Sequence, residues 1–247
     1  MILHIPHSSK VIPKGFLKYF LLSRTELTRE LLSMTDHYTD ELFQRPSGED
    51  EVLVFPVSRL LVDPERFVDD SDEPMSKKGM GCIYEKTHEG RPLKNCQYVR
   101  QILIDRYYVP HHRRLLTLVD QSMERSDNAL IIDCHSFPKS PLPYEIDQRE
   151  NRPEICIGTD EFHTPTQLIE QVFTLFLKEG FNVEINRPFS GSMVPAEHYQ
   201  KNKKVRSVMI EVRRDMYMDE VTGIKTKQFG ETKRFIKQTL DDLRSFG

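Results

Sequence analysis

A layered α/β/α domain is what this sequence predicts, on three observations. Short apolar runs suited to strands alternate with longer segments whose apolar residues recur at helical spacing. Some of the short runs, Ala129-Leu130-Ile131-Ile132 above all, are apolar throughout, as strands buried on both faces are. The 247 residues, 38% of them hydrophobic, suffice for one large domain with a full core and are short for two. No internal repeat, low-complexity tract or linker divides the chain, so residues 1–247 are expected to form one domain.

Taken in order, residues 2–5 read as a short strand running into Pro6-His7-Ser8-Ser9. Pro13 and Gly15 punctuate a loop, and a helical pattern follows through Leu17, Phe20, Leu21, Leu27, Leu31 and Leu32. Residues 35–43 read as a loop or a helix start capped by Thr35 or Asp36. A strand is expected over 51–57, with 58–67 continuing as strand and then turn. The charged, glycine-containing stretch 69–90 is a long loop, and long loops inside compact domains are often functional. Helical periodicity runs from Cys96 to Val119 and is broken by Pro110. The strand at 129–133 is followed by a proline-punctuated loop over 137–153 and a short strand at 155–157. Residues 164–179 form an amphipathic helix, with Pro165 near its first turn and Gly180 just past its end. A strand at 181–185, a loop at 186–192, a last buried strand at 205–212 and an amphipathic helix over 230–246 complete the pattern.

Composition excludes several classes of function. A formal charge of −3 and a pI near 6.3 leave no basic excess for gripping nucleic acid. No apolar run reaches the roughly 18 residues that a membrane span requires. Residues 1–7 lack the basic-then-apolar order of a signal peptide. Cys82, Cys96, Cys134 and Cys156 form no C-x-x-C pair, so a reducing cytoplasm is the expected home. A soluble enzyme or a binding domain fits these bounds.

The chemistry gathers around Asp133-Cys134-His135-Ser136, which closes the apolar run 129–132. Ligands of α/β sheets bind where strands end, so His135 is the first candidate metal ligand. His7, placed similarly at the end of its own strand, is the second. His7, Asp36, His135 and Glu211 are widely separated in sequence, yet the fold could gather them on one sheet edge. Two imidazoles and a carboxylate are the ligand set of a catalytic zinc that keeps one position open. Such a zinc lowers the pKa of water toward about 7, and a further carboxylate is then needed to move the proton. Glu211, alone in the apolar stretch 205–212, is the candidate, because an unpartnered buried carboxylate is costly. His4, His37, His88, His111, His112, His163 and His198 compete as ligands. Asp133 reads either as a partner orienting an imidazole or as a turn cap. Arg59, Arg91, Arg213 and Arg214 are solvated by default. Arg66, which follows the inward-leading Leu60-Leu61-Val62, could hold a carboxylate bidentately.

Four segments in register resemble the N-formylglutamate amidohydrolase family. They are His4-Ile5-Pro6-His7-Ser8, Ser58-Arg59-Leu60-Leu61-Val62-Asp63-Pro64-Glu65-Arg66-Phe67, Asp133-Cys134-His135-Ser136-Phe137-Pro138 and Ile210-Glu211-Val212-Arg213-Arg214-Asp215-Met216-Tyr217-Met218. The resemblance extends from residue 2 to about residue 220 and implies a fold similar to that of zinc-dependent carboxypeptidases, three layers around a mixed, mostly parallel sheet. It also implies roles. His7 and His135 resemble the first and last zinc ligands of those peptidases, and Glu211 their general base. Arg66, helped by Arg59, resembles the group that binds a substrate's α-carboxylate, and Ser190-Gly191-Ser192 falls where a loop would cover the substrate. One departure stands out: the peptidases carry a glutamate three residues after the first histidine, and Lys10 occupies that position here and cannot be a ligand. Asp36, matching a recurrent family aspartate, takes its place, with Asp40 as the fallback. Glu65 stands where the peptidases pair an asparagine with the arginine, and its charge would repel an anionic substrate. The implied activity is hydrolysis, dependent on zinc or another divalent metal, of a small N-acyl amino acid. N-formyl-L-glutamate is first in line, giving formate and L-glutamate in histidine degradation. Another N-acyl amino acid deacylase, a small-peptide carboxypeptidase and a non-catalytic carboxylate-binding domain are the alternatives.

Overall fold

Six strands make one sheet in the computed structural model, which describes residues 1–44, 48, 50–95 and 98–244. They are β1 (Ile2–Ile5), β2 (Glu51–Val54), β3 (Ala129–Phe137), β4 (Ile155–Gly158), β5 (Val183–Ile185) and β6 (Val205–Arg213), in the order β2-β1-β3-β6-β4-β5. Neighbours run parallel except at β4–β6. The sheet is therefore mixed and mostly parallel, as expected of the α/β class. The helices are α1 (Lys14–Leu17), α2 (Arg24–Met34), α3 (Thr39–Phe43), α4 (Arg100–Leu103), α5 (Val109–Ser126), α6 (Thr166–Lys178) and α7 (Phe229–Arg244).

The pleat divides each strand between two layers, because successive side chains point to opposite faces. Leu3, Ile5, Leu130, Ile132, Cys134, Val208, Ile210 and Val212 enter one core, with Leu42 and Phe43 of α3, Leu168 and Phe176 of α6 and Ile236 and Leu240 of α7. Ile2, Ala129, Ile131 and Val205 face the other way onto Leu115, Leu118 and Val119 of α5. That second face carries the polar residues: His4 follows Ile2 on it, Asp133 and His135 follow Ile131, and Ser207 and Glu211 follow Val205. All five are buried. Leu115, Leu118 and Val119 of α5 cover the apolar part of this face, and His111, in the helix's first turn, reaches His4. Two smaller cores lie beyond it, one around Phe55, Leu61 and Leu103 with Phe16 of α1, the other around Leu60, Met80 and Tyr84 with Leu27 and Met34 of α2.

Several boundaries differ from those expected, for identifiable reasons. Asp133-Cys134-His135-Ser136 lies inside β3 rather than beyond it, because β6 continues as a paired neighbour to Phe137↔Arg213. β2 ends at Val54, and 58–67 contains turns, with Leu61 N–H donating to the Ser58 carbonyl. The helical pattern from Leu17 to Leu32 is two helices, split by Ser23, which caps α2 in a capping box with Glu26. Pro110 does not break its helix. A π-helical turn at Ile104–Tyr108 precedes it, and the Val109 N–H reaches back to the Ile104 carbonyl. Cys96, and Phe246 at the end of the last helix, lie outside the described residues; α7 itself ends at Arg244. Among the described residues no helix is long and apolar enough to cross a membrane.

Candidate active site

Register places the candidate residues. His135 lies opposite Glu211, and His4 opposite Asp133. His7, two residues beyond β1, comes over the same face, its ring centroid 5.1 Å from that of His135. Asp36 arrives from the α2–α3 connection, whose backbone is tied to the first strand by the Asp36 N–H donating to the His7 carbonyl at 3.0 Å. Tyr38, in the left-handed region at φ 65°, then turns the chain into α3. His7, Asp36, His135 and Glu211 thus come from four separate segments to one place. Asp40 sits in the first turn of α3.

The two imidazoles present opposite edges to different carboxylates. On their Nδ1 edges, Asp36 Oδ2 lies 3.6 Å from His7 and 3.1 Å from His135. On their Nε2 edges, His7 hydrogen-bonds Asp63 Oδ1 at 2.9 Å, and His135 lies 3.2 Å from both Asp133 Oδ1 and Glu65 Oε1. Glu65 Oε2 is 3.7 Å from His7 Nε2. One atom each from His7, Glu65 and His135 lie within 4.8 Å of one another, as do atoms from His4, Glu65 and Asp133. His4 Nδ1 hydrogen-bonds Asp133 Oδ1 at 2.8 Å, and its Nε2 meets His111 Nε2 at 2.9 Å.

Burial alone would raise the Asp36, Asp63 and Asp133 pKa values, yet facing imidazoles hold all three well below the usual range, helped by arginines at Asp36 and Asp63. Against the same desolvation, Glu65 and Asp133 hold His135 well above its ordinary value, and Asp63 and Asp36 raise His7. His111 goes the other way: burial and the nearby His4 drive it down to about 2, so it is neutral. Glu211 is pushed up to about 8 by burial, against the pull of His135, and its Oε2 is buried without a hydrogen-bond partner. His7 Nδ1 is likewise unpartnered. Two imidazoles whose pKa values the surrounding carboxylates raise, one with an orphaned ring nitrogen, form a donor set that fits a divalent cation.

Three arginines surround this cluster. Arg214 donates to Asp36 Oδ1 at 3.0 Å and to the Ser33 and Ser136 carbonyls. Arg59 donates to Asp63 Oδ2 at 2.9 Å and to the Tyr84 hydroxyl. Arg66 stays 3.9 Å from both Asp63 and Glu73, and its buried Nε has no acceptor. It lines a cavity of about 390 Å³ shared with Glu65, Asp133 and the Ser190-Gly191-Ser192 loop. Met193 pins that loop by donating its N–H to Asp133 Oδ2 at 2.9 Å. Gly158 allows the loop's close approach, since a Cβ there would stand 2.5 Å from the Gly191 carbonyl oxygen.

Sequence reasoning left Asp63 and Arg214 without roles and left His4 among the competitors. Period-two counting from Ile2 sets His4 on the His135 face. Asp63 carried no comparable signal, because its turn has no period.

A buried histidine–carboxylate centre at the carboxyl ends of parallel strands, beside a cavity lined by an arginine, defines a hydrolase-type α/β domain able to hold a metal. The N-formylglutamate amidohydrolase family model matches residues 1–218; the chain belongs to that family and is a hydrolase of amide bonds. No curated protein matches it in sequence. The N-formylglutamate amidohydrolase of Ralstonia eutropha JMP134 shares the fold at a TM-score of 0.79 and 23% identity, over 98% of this chain and 91% of that one. A gene product of Agrobacterium tumefaciens does so at 0.70 and 17%, over 100% and 90%.

Proposed function

We propose that this chain is a zinc-dependent amidohydrolase of small N-acyl amino acids, with N-formyl-L-glutamate, the substrate in the family's name, as its reference substrate. The observation that carries this reading is the convergence of His7, Asp36, His135 and Glu211 on one sheet face beside the Arg66 cavity. His7, Asp36 and His135 are assigned as the metal ligands, the histidines through Nδ1. The hydrogen bonding supports that choice: each Nε2 meets a carboxylate, Asp63 or Asp133, as in metal-binding histidines oriented by a second partner. Glu65, on the Nε2 edges, is the competing carboxylate.

Bound zinc supplies Lewis acidity that polarises an amide carbonyl and acidifies water. The protein's own groups do the rest. Glu211, uncharged or charged with little driving force either way near neutral pH, takes a proton from the attacking water at its free Oε2 and returns it to the departing amine. Arg66 holds the substrate α-carboxylate, and Arg59 adds its charge behind it while fixing Asp63 against His7. Arg214 holds Asp36 in place. Ser190 and Gly191 lie over the substrate and restrict water. Free, buried Cys82, Cys134 and Cys156 suit a reducing compartment such as the cytoplasm, where the reaction would serve histidine degradation.

Glu211→Gln tests the assignment. The variant is expected to fold, to bind one zinc per chain as the parent does, and to lose about 10²–10⁴-fold in kcat. Undiminished turnover would remove Glu211 from its role. Absence of stoichiometric metal in protein purified without chelators, with no gain on adding zinc, would instead favour a carboxylate-binding domain without catalysis.

A further inference from the structure

Arg66 presents its guanidinium from a segment that is neither helix nor strand, so its position must be fixed by other elements. The backbone on both sides of it is bonded to side chains. The Glu65 N–H donates to Asp63 Oδ1 at 3.0 Å, the atom that also meets His7, and the Phe67 N–H donates to Glu73 Oε2 at 3.1 Å. Alternate carbonyls are held as well. Pro64 accepts from His112 Nε2 at 2.8 Å, Arg66 from the Tyr108 hydroxyl at 3.0 Å, and Val68 from Arg100 at 2.6 Å. The Arg66 side chain is treated differently: its Nε is buried without an acceptor, and the Asp63 and Glu73 carboxylates stay 3.9 Å away.

The three carbonyl donors come from one run of helix, α4 through α5. Tyr108 closes the π-helical turn, a feature that often marks functional sites, and His112 stands one turn further on the same face. Their rings stack with centroids 4.1 Å apart and planes 29° from parallel, and both line the cavity with Arg66. Burial raises the Tyr108 pKa and lowers that of His112, so the pair is an intact phenol and a neutral imidazole. Facing a carbonyl, His112 Nε2 carries the proton.

We propose that Tyr108 and His112 are positioning residues: through the Arg66 and Pro64 carbonyls, the stacked pair sets the Arg66 guanidinium for the substrate α-carboxylate. The proposal rests on the role given to Arg66 above and names what holds it in that role. A rigid helix supplies the precision that an irregular turn lacks. The hydrogen bonds go to the backbone of the anchor, which leaves its side chain available to a ligand. Displacing such an anchor by about 1 Å can cost about 100-fold in rate.

Steady-state kinetics of the zinc-loaded protein on N-formyl-L-glutamate provide the test. Tyr108→Phe removes one hydroxyl and keeps the stacked ring. It is expected to raise KM about five- to tenfold with kcat little changed, the effect of one lost hydrogen bond. His112→Leu should act likewise, and His112→Gln, whose amide still reaches the Pro64 carbonyl, should stay near the parent. In an Arg66→Gln background, Tyr108→Phe should change kcat/KM by less than about twofold, because the group it positions is gone. An equal loss with and without Arg66 would show that Tyr108 acts on substrate directly or elsewhere, and that result overturns the proposal. So does an unchanged KM in Tyr108→Phe, or a fall in kcat alone; each leaves the hydrolase reading standing. If the parent does not hydrolyse N-formyl-L-glutamate, the hydrolase reading fails, and calorimetric Kd values for the same compound replace KM in the same comparison. Weaker binding by Tyr108→Phe only where Arg66 is present supports the proposal; equal binding, or none by the parent, overturns it.

Discussion

Asp36 and Glu65 compete for one role, and the difference between them is which edge of each imidazole they face. Asp36 is fully buried, fixed by Arg214 and by the Ser136 N–H, and faces both Nδ1 atoms. Glu65 is partly exposed, lines the cavity and faces both Nε2 atoms. If the metal sits on the Nδ1 side, Asp36→Asn should weaken zinc binding by more than about 100-fold. Glu65→Gln, acting only from the outer side, should cost roughly 10–100-fold at most. Competition titration with a chromophoric chelator measures both, and the reverse order would move the ligand role to Glu65. The same residues show where sequence reading reached its limit. His135 and Glu211 were legible because each stands as a polar residue in an apolar strand. Asp36 was reached only by resemblance. The contact of Asp63 with His7 joins positions 56 residues apart through an irregular turn, which no periodicity encodes.

At the scale of elements, the strands were legible by their apolar runs, the amphipathic helices by their spacing and 186–192 as a loop, whereas what supports that loop was not. Its support comes from Arg152, in the stretch read as a proline-punctuated loop. Buried Arg152 pairs with buried Glu145, donates to the Pro138 carbonyl at 3.0 Å, and lies 5.8 Å from the ring centres of both Phe137 and Phe189. Phe189 directly precedes Ser190-Gly191, so one guanidinium links the end of β3 to the cover of the cavity. Burial raises the Glu145 pKa even with its partner present. Arg152→Met should therefore destabilise the protein by about 3–5 kcal/mol, the cost of stranding a buried charge. Glu145→Gln added to it should recover part of that loss. Urea unfolding of the single and double variants checks this. Strict additivity of the two changes would deny the coupling, and an unchanged KM in the folded Arg152→Met protein would deny the link to the cavity.

Across the whole molecule, the sheet brings one centre to the carboxyl ends of its parallel strands, beside the first turn of α5, and the charges there set how metal and stability are linked. Asp36, Asp63, Glu65, Asp133 and Glu211 surround His7 and His135 and favour a positive charge there, whether a proton or a metal. A cation that binds the folded chain and not the unfolded one stabilises it by mass action, about 2.7 kcal/mol at 100 times Kd. For a chain of this size that is a rise of roughly 5–10 °C in Tm. Zinc should produce that rise in chelator-stripped protein at pH 7.5, and excess chelator should reverse it. The sign of the pH effect follows from the ligands. Imidazole binds metal only after losing its proton, and Glu65 and Asp133 hold the His135 pKa well above 6.5 against the effect of burial. Protons therefore compete more strongly as pH falls, and the zinc-induced rise should shrink markedly at pH 5.5. The metal-free protein should change the other way, because a raised imidazole pKa contributes stability that is complete below pH 6.5 and lost as pH rises through the folded value. Thermal scans with and without zinc at the two pH values separate these slopes. A zinc increment that is equal at pH 5.5 and 7.5 would mean that the metal binds away from the two histidines.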